Sequence, residues 1–180
     1  MQGNSRLVGL WRFVAPVIVS LFALAACGDS GPDAGPATGG ETVCGSNFCI
    51  SHPDGWVVAE NGGTFISFEH SEDPDLLKAT VSQVNMEGVV TQAGNSWPQL
   101  TDGVVRSFWT LLAETGAELS TLEPRRDGSV ASLGTHESGR LWLLIHPVSS
   151  RDAIGVEVRA PNTTWSTHVD VFFESLRIQQ

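Results

Sequence analysis

Positive charge is scarce in this chain. Its 180 residues hold ten Lys and Arg against twenty Asp and Glu, a net charge of −10, and Lys78 is the single lysine. Nucleic-acid binding needs clustered cations to neutralise phosphates, so DNA and RNA are excluded as partners. Catalytic motifs are also missing: there is no Gly-x-Ser-x-Gly elbow, no Walker loop, no dinucleotide fingerprint and no His-x-x-x-His pair. His52, His136, His146 and His168 stand singly in the sequence and read as sheet or surface histidines rather than catalytic ones. Long hydrophobic runs are absent too. The longest, Phe13 to Ala26, has 14 residues, whereas a helix needs about 20 to cross roughly 30 Å of hydrocarbon. With 41% hydrophobic and 17% charged residues, the composition is that of a globular domain.

The amino terminus is the most informative stretch. Met1 to Arg12 carries two arginines and no acid, and the apolar run follows it. This is the build of a secretory signal peptide, residues 1–26. The run ends in Leu24-Ala25-Ala26-Cys27, which resembles the lipobox of bacterial lipoproteins. That resemblance implies a diacylglyceryl anchor on Cys27 and a protein tethered to the extracytoplasmic face of the cell membrane. Gly28 follows the cysteine, so the aspartate that signals inner-membrane retention in enterobacteria is missing. Without residues 1–26 the chain keeps eight basic and twenty acidic groups, a net charge of −12, so the domain is expected to be held off anionic headgroups.

Residues 28–42, GDSGPDAGPATGGET, contain no large apolar side chain and read with Cys27 as a flexible linker. Fifteen such residues reach at most about 50 Å extended and roughly 20 Å as a coil. Gly28-Asp29-Ser30-Gly31 mimics a serine-protease nucleophile motif, but no histidine precedes it and a linker cannot hold catalytic geometry.

Residues 43–180 read as one domain. Cys44 and Cys49, separated by a turn-rich Gly-Ser-Asn-Phe, are expected to form a structural disulfide; the spacing is not that of a redox pair. Trp56–Glu60 and Thr64–His70 flank Asn61-Gly62-Gly63, a hairpin signal. Further strands are predicted over 78–86, 117–123, 129–136, 140–148 and 153–160. Ile154, Val156 and Val158 alternate with Gly155, Glu157 and Arg159, which predicts one wet face, whereas the continuously apolar Leu141–Ile145 predicts a central strand. A helix is expected from a capping box at Ser96 and Gln99 to a stop at Gly116. A second begins at Asn162 and carries the stripe Trp165, Val169, Phe172, Phe173 and Leu176. The fold class is α+β, a mostly antiparallel sheet packed with two main helices.

Phe48-Cys49-Ile50-Ser51-His52-Pro53-Asp54-Gly55-Trp56 and Phe172-Phe173-Glu174-Ser175-Leu176-Arg177 resemble the opening and closing segments of PsbP-like domains and of LpqN-type actinobacterial lipoproteins. The resemblance implies an α/β/α sandwich and a non-catalytic adaptor or binding role, and it assigns no functional residue.

Two local clusters remain. Glu69 to Asp75 gathers four carboxylates and His70 but lacks calcium-loop spacing, so it reads as a solvated acidic loop, with no metal and no cofactor expected. Arg125 and Arg126, at a predicted hairpin tip, are the one doubled basic site of the mature chain and a possible partner contact. Trp109, Trp142 and Trp165 fall in apolar patterns and read as core, with Trp97 part exposed. The leading expectation is a lipid-anchored adaptor or binding protein with an envelope protein as partner. A carrier of a small apolar ligand and an envelope hydrolase are the alternatives.

Overall fold

The computed structural model describes residues 39–93, 97–113, 116–137 and 139–179. Residues 1–26, expected to be a signal peptide, Cys27 and residues 28–38 lie outside the described residues. Alternation of apolar and polar side chains builds most of what is described. The strands are β1 (Gly39–Cys44), β2 (Phe48–Pro53), β3 (Trp56–Asn61), β4 (Phe65–His70), β5 (Lys78–Asn85), β6 (Glu118–Pro124), β7 (Val130–His136), β8 (Gly139–Pro147), β9 (Asp152–Ala160) and β10 (Arg177–Ile178). The helices are α1 (Glu87–Ala93), α2 (Thr101–Ala113) and α3 (Ser166–Ser175). Seven strands form one antiparallel sheet in the order β3-β4-β5-β9-β8-β7-β6, and β1-β2-β10 form a small antiparallel sheet. Two meanders, β3 to β5 and β6 to β9, therefore meet where β9 pairs with β5, and α1 and α2 lie in the crossover. The α+β class and the mostly antiparallel sheet hold.

Each face of the large sheet has its own core. On the front face, α3 and the small sheet bury Phe48, Ile50, Phe68, Trp165 and Phe172 against β4, β5, β8 and β9. On the back face, Val104, Val105 and Trp109 of α2 pack on Leu141 and Leu143 of β8 and on Val130 of β7. The apolar run of β8 is buried on both faces, as a central strand should be. Trp109 lies against Gly134 so closely that a Cβ there would overlap its ring and the Glu118 carbonyl. Its indole N–H donates to Ser132 Oγ at 2.9 Å.

The disulfide Cys44–Cys49 closes the β1–β2 hairpin, with the two Cα atoms 4.0 Å apart. Ser46 N–H donates to Gly63 O at 2.8 Å and Gln179 N–H to Asn47 O at 2.9 Å, so the same loop holds both the β3–β4 turn and the carboxyl end. Gly116, at φ 84°, stops α2 through bonds from Gly116 N to Ala113 O and from Ala117 N to Leu112 O, the Schellman pattern.

Five expectations are corrected. Gly39–Thr42, expected within the linker, pair with β2 as part of β1. The helix expected from Ser96 starts at Thr101: a residue before proline avoids the α region, and Thr101 Oγ donates to Pro98 O at 2.6 Å over the turn that holds Gln99. Ser96 itself lies outside the described residues. The unforeseen α1 follows Asn85, whose Oδ1 accepts from Glu87 N–H; its Gly88, Val89 and Val90 are weak helix formers. Trp165 belongs to a 3-10 turn capped by Asn162, and Leu176 follows α3 in extended backbone, because the chain must straighten to pair β10 with β2. On β9, Ala153 and Gly155 are buried, so only Glu157 and Arg159 keep that face wet.

Two outcomes follow for equilibrium urea unfolding of the chain. Gly134→Ala is expected to lower stability by about 1–3 kcal/mol through overpacking against Trp109, and an unchanged midpoint would refute that packing. Cys44→Ser with Cys49→Ser is expected to cost about 2 kcal/mol, the chain-entropy value for so short a ring.

Candidate functional site

The two long helices are offset. α2 covers β6, β7 and β8 of the back face, and α3 lies toward β2 and β9 on the front. Part of each face is left open, and the two open parts differ in chemistry. On the back, the open strands present Ser67, Glu69, Lys78, Thr80 and Ser82 together with the exposed Val57 and the half-buried Phe65, with Lys78 Nζ 3.8 Å from Glu69. On the front, the open part is a groove of about 410 Å³ between α3 and β6–β7 whose floor is Ala131, Leu133 and Trp142. Val169 and Phe173 of α3 form one wall. The rim carries Glu123, Asp170 and Glu174 against Arg125, an acidic balance.

Arg125 reaches across the mouth and donates to Glu174 Oε1 at 2.7 Å, tying the β6–β7 turn to the end of α3. Arg126 is exposed beside it. Of the two arginines expected at a partner contact, one is therefore a strut of the groove and the other a free surface cation. Asp127 in the same turn accepts from the Ser129 hydroxyl at 2.6 Å and the Ser129 N–H at 3.0 Å. Burial pushes its carboxyl up, but those bonds and the nearby His146 and Arg125 outweigh it and hold the pKa below the ordinary carboxylate value.

The seat of α3 is an aromatic and histidine cluster. Trp56 Nε1 donates to His168 Nδ1 at 3.1 Å, and Trp165 stacks its ring 5.0 Å from His70 and 4.8 Å from His168. His70 and His168 are themselves 6.2 Å apart, and both are buried. His52 joins the same core against Phe68 at 5.5 Å. Reading the histidines as single residues missed this convergence, since His70 and His168 are distant in sequence. The available signal was phase: His52 follows Phe48 and Ile50, and His70 follows Ile66 and Phe68, at the two-residue period of the buried strand face. His168 lies three residues after Trp165 and one before Val169 on the apolar stripe.

The remaining sequence candidates disperse. Glu69 and His70 project to opposite faces of β4, and Asp73 Oδ1 accepts from Leu76 N–H. His70 is core, a correction to the solvated loop expected for that segment. No group of three or more His, Cys, Asp or Glu is placed to hold a metal among the described residues. Trp97 donates its indole N–H to Ser149 O at 3.0 Å and packs with the back core. His146 Nδ1 lies 3.7 Å from Asp127 and opens onto a second pocket with Asn47, Gln83 and Gln179, whose described lining includes no serine, threonine or cysteine. Burial pushes the His136 imidazole down, and Arg159 adds to this against Glu137 and Glu157.

No family model matches the sequence, and no curated protein matches it. Among solved structures, the solution structure of cyanobacterial PsbP, CyanoP, from Synechocystis sp. PCC 6803 matches with a TM-score of 0.54 at 16% identity, over 86% of this chain and 98% of that one. The fold is PsbP-like. At that identity the likeness is one of fold, and the groove, the Arg125 strut and the histidine seat are features read on this PsbP-like domain alone. No helix among the described residues is long and apolar enough to cross a membrane.

Proposed function

We propose that this chain is a lipid-anchored, extracytoplasmic binding protein of the bacterial envelope, non-catalytic, with the front groove as its binding site. One observation carries the reading. Between α3 and β6–β7 the front face keeps an apolar floor, the partly exposed Ala131 and Leu133 over Trp142, inside a concave opening. An apolar floor kept beside an acidic rim suits a partner that offers an apolar side chain next to a cation. Lys or Arg beside a hydrophobic residue on an envelope protein has that chemistry. The lipobox resemblance at Cys27 supports the tethering, and it keeps the groove within a linker's length of the membrane.

A photo-crosslinking residue at Thr121, inside the groove, is expected to capture an envelope partner on intact cells, while one at the exposed Val57 of β3 does not. Asp170→Arg, which reverses a rim charge, is expected to cut that adduct several-fold. Equal capture at both positions, or an adduct indifferent to Asp170→Arg, refutes the groove as the contact. The anchor is tested separately by labelling cells with radioactive palmitate. Label in the native chain and none in Cys27→Ser is the expected pattern, and label retained by the serine variant overturns the lipidation.

A carrier of a small apolar molecule is the second reading, supported by the groove floor of Ala131, Leu133 and Trp142. Protein isolated from its host with extra mass of a few hundred daltons on the order expected for such a ligand supports the carrier; a bare chain supports the adaptor.

A further inference from the structure

The histidine seat of α3 has a surplus of hydrogen-bond donors. His168 Nδ1 is already the acceptor for Trp56 Nε1 at 3.1 Å. His70 Nδ1 is the acceptor for the Glu72 N–H at 3.3 Å. The buried Trp165 Nε1, whose ring touches both imidazoles, has no acceptor among the described residues. Each imidazole therefore presents Nδ1 as an acceptor. A second proton would have to go on Nδ1. It would turn an acceptor into a donor facing an N–H, and it would add a charge to a core lined by Trp56, Phe68 and Phe172.

We propose that the seat built on His70 and His168 is an acid-sensitive latch, with His70 as its titrating group, that holds the amino-terminal half of α3 on β3 and β4 and releases it when the surroundings acidify. His168 is followed by Val169, the first wall residue of the groove, so release opens the groove. That consequence rests on the groove being the binding site; the latch itself does not. Backbone geometry supports the tight seat. Gly55, at φ 84°, passes so near His70 Nε2 that a Cβ at that position would lie 2.6 Å from it.

The groups facing the pair set the sign. From the loop after β4, Glu72 and Asp73 favour a charged His70. From β2, His52 packs on Phe68, and Asp54 sits in the turn beside Gly55. On α3 itself, Asp170 and Glu174 belong to the groove rim. Against the two carboxylates stand burial, the largest influence, and His168, and together they leave His70 below the ordinary imidazole pKa. A group with a lowered folded pKa binds protons more readily in the unfolded chain. Its contribution is thus fully present above pH of about 6.5 and is lost as pH falls through the lower folded value.

The test is amide hydrogen exchange of the full chain in a mild nonionic detergent, read as the ratio of protection in α3 to protection in α2. The ratio cancels the intrinsic pH dependence of exchange. Between pH 7.5 and 5 it is expected to fall several-fold. In His70→Asn with His168→Asn, whose amide oxygens keep an acceptor near each Nδ1 but do not titrate, the ratio is expected to stay flat. A flat ratio in the native chain overturns the latch without any variant, and an equal fall in the double variant overturns its assignment to these histidines. Neither outcome depends on a ligand, so a failed latch and a failed groove are told apart.

Discussion

A seven-stranded sheet has two apolar faces, and among the described residues there are two long helices with which to cover them. Everything else in the structure answers to that shortage. Each helix covers part of one face, the small β1-β2-β10 sheet extends the front cover, and the short α1 extends the back. The sequence then treats the two uncovered parts differently. Behind β4 and β5 it places hydroxyls and a Glu69–Lys78 pair around Phe65, a mostly polar sheet face in water. In front of β7 and β8 it keeps Leu133 and Trp142 and spans the opening with the Arg125–Glu174 ion pair. An exposed pair of this kind contributes at most about 1 kcal/mol, so Arg125 fixes the shape of the opening more than the stability of the fold.

The edges narrow the ways in which a partner can approach. β1, β10, β3 and β6 are the outer strands; β10 is only two residues long, and the other three each carry a register shift, at Gly39/Thr42, Val58/Glu60 and Leu119/Thr121. Each of those three also bears acid, namely Glu41, Glu60, and Glu118 with Glu123. Bulges twist an edge away from flat pairing, and charge of one sign resists a second copy. At the inner side of the small sheet a side chain does the work of a strand. Ser175 Oγ accepts from Ser51 N–H at 2.9 Å and donates to Ser51 O at 3.0 Å, so β2 stays satisfied beyond the two residues of β10. With its edges blunted in this way, the molecule meets partners through a face, and the groove is the apolar opening on one.

The strands were legible because their signals are local. Asn61-Gly62-Gly63 gave the β3–β4 turn, with Asn61 Oδ1 accepting from Gly63 N–H, and Leu141–Ile145 announced a strand buried on both sides. Gly116 marked the end of α2 for the same reason, a conformation that glycine adopts cheaply. The start of α2 was not legible, because a capping box and a proline compete there and the turn to Thr101 depends on packing. Nor was β1, whose Gly39 and Gly40 carry no pattern and become a strand only because β2 lies beside them. The groove was hidden for a deeper reason. Leu133 and Trp142 look like any core residue in sequence, and only the offset of α3 leaves them facing a gap.

The histidines show how one helix can serve both packing and binding. α3 is fixed at its carboxyl end by Ser175 on β2, by Glu174 on Arg125 and by the pairing of β10 just beyond. Its amino-terminal half is held through His168, in a seat where His168 Nδ1 and His70 Nδ1 both act as acceptors. The two ends are thus secured by different chemistry: the first by hydrogen bonds and an ion pair that do not need a neutral imidazole, the second by acceptors that a proton would remove. A helix anchored this way can swing without leaving the sheet, and Val169 lies next to the end that moves. The buried histidines therefore matter less as isolated polar residues in a core than as the condition on which one wall of the groove stays in place.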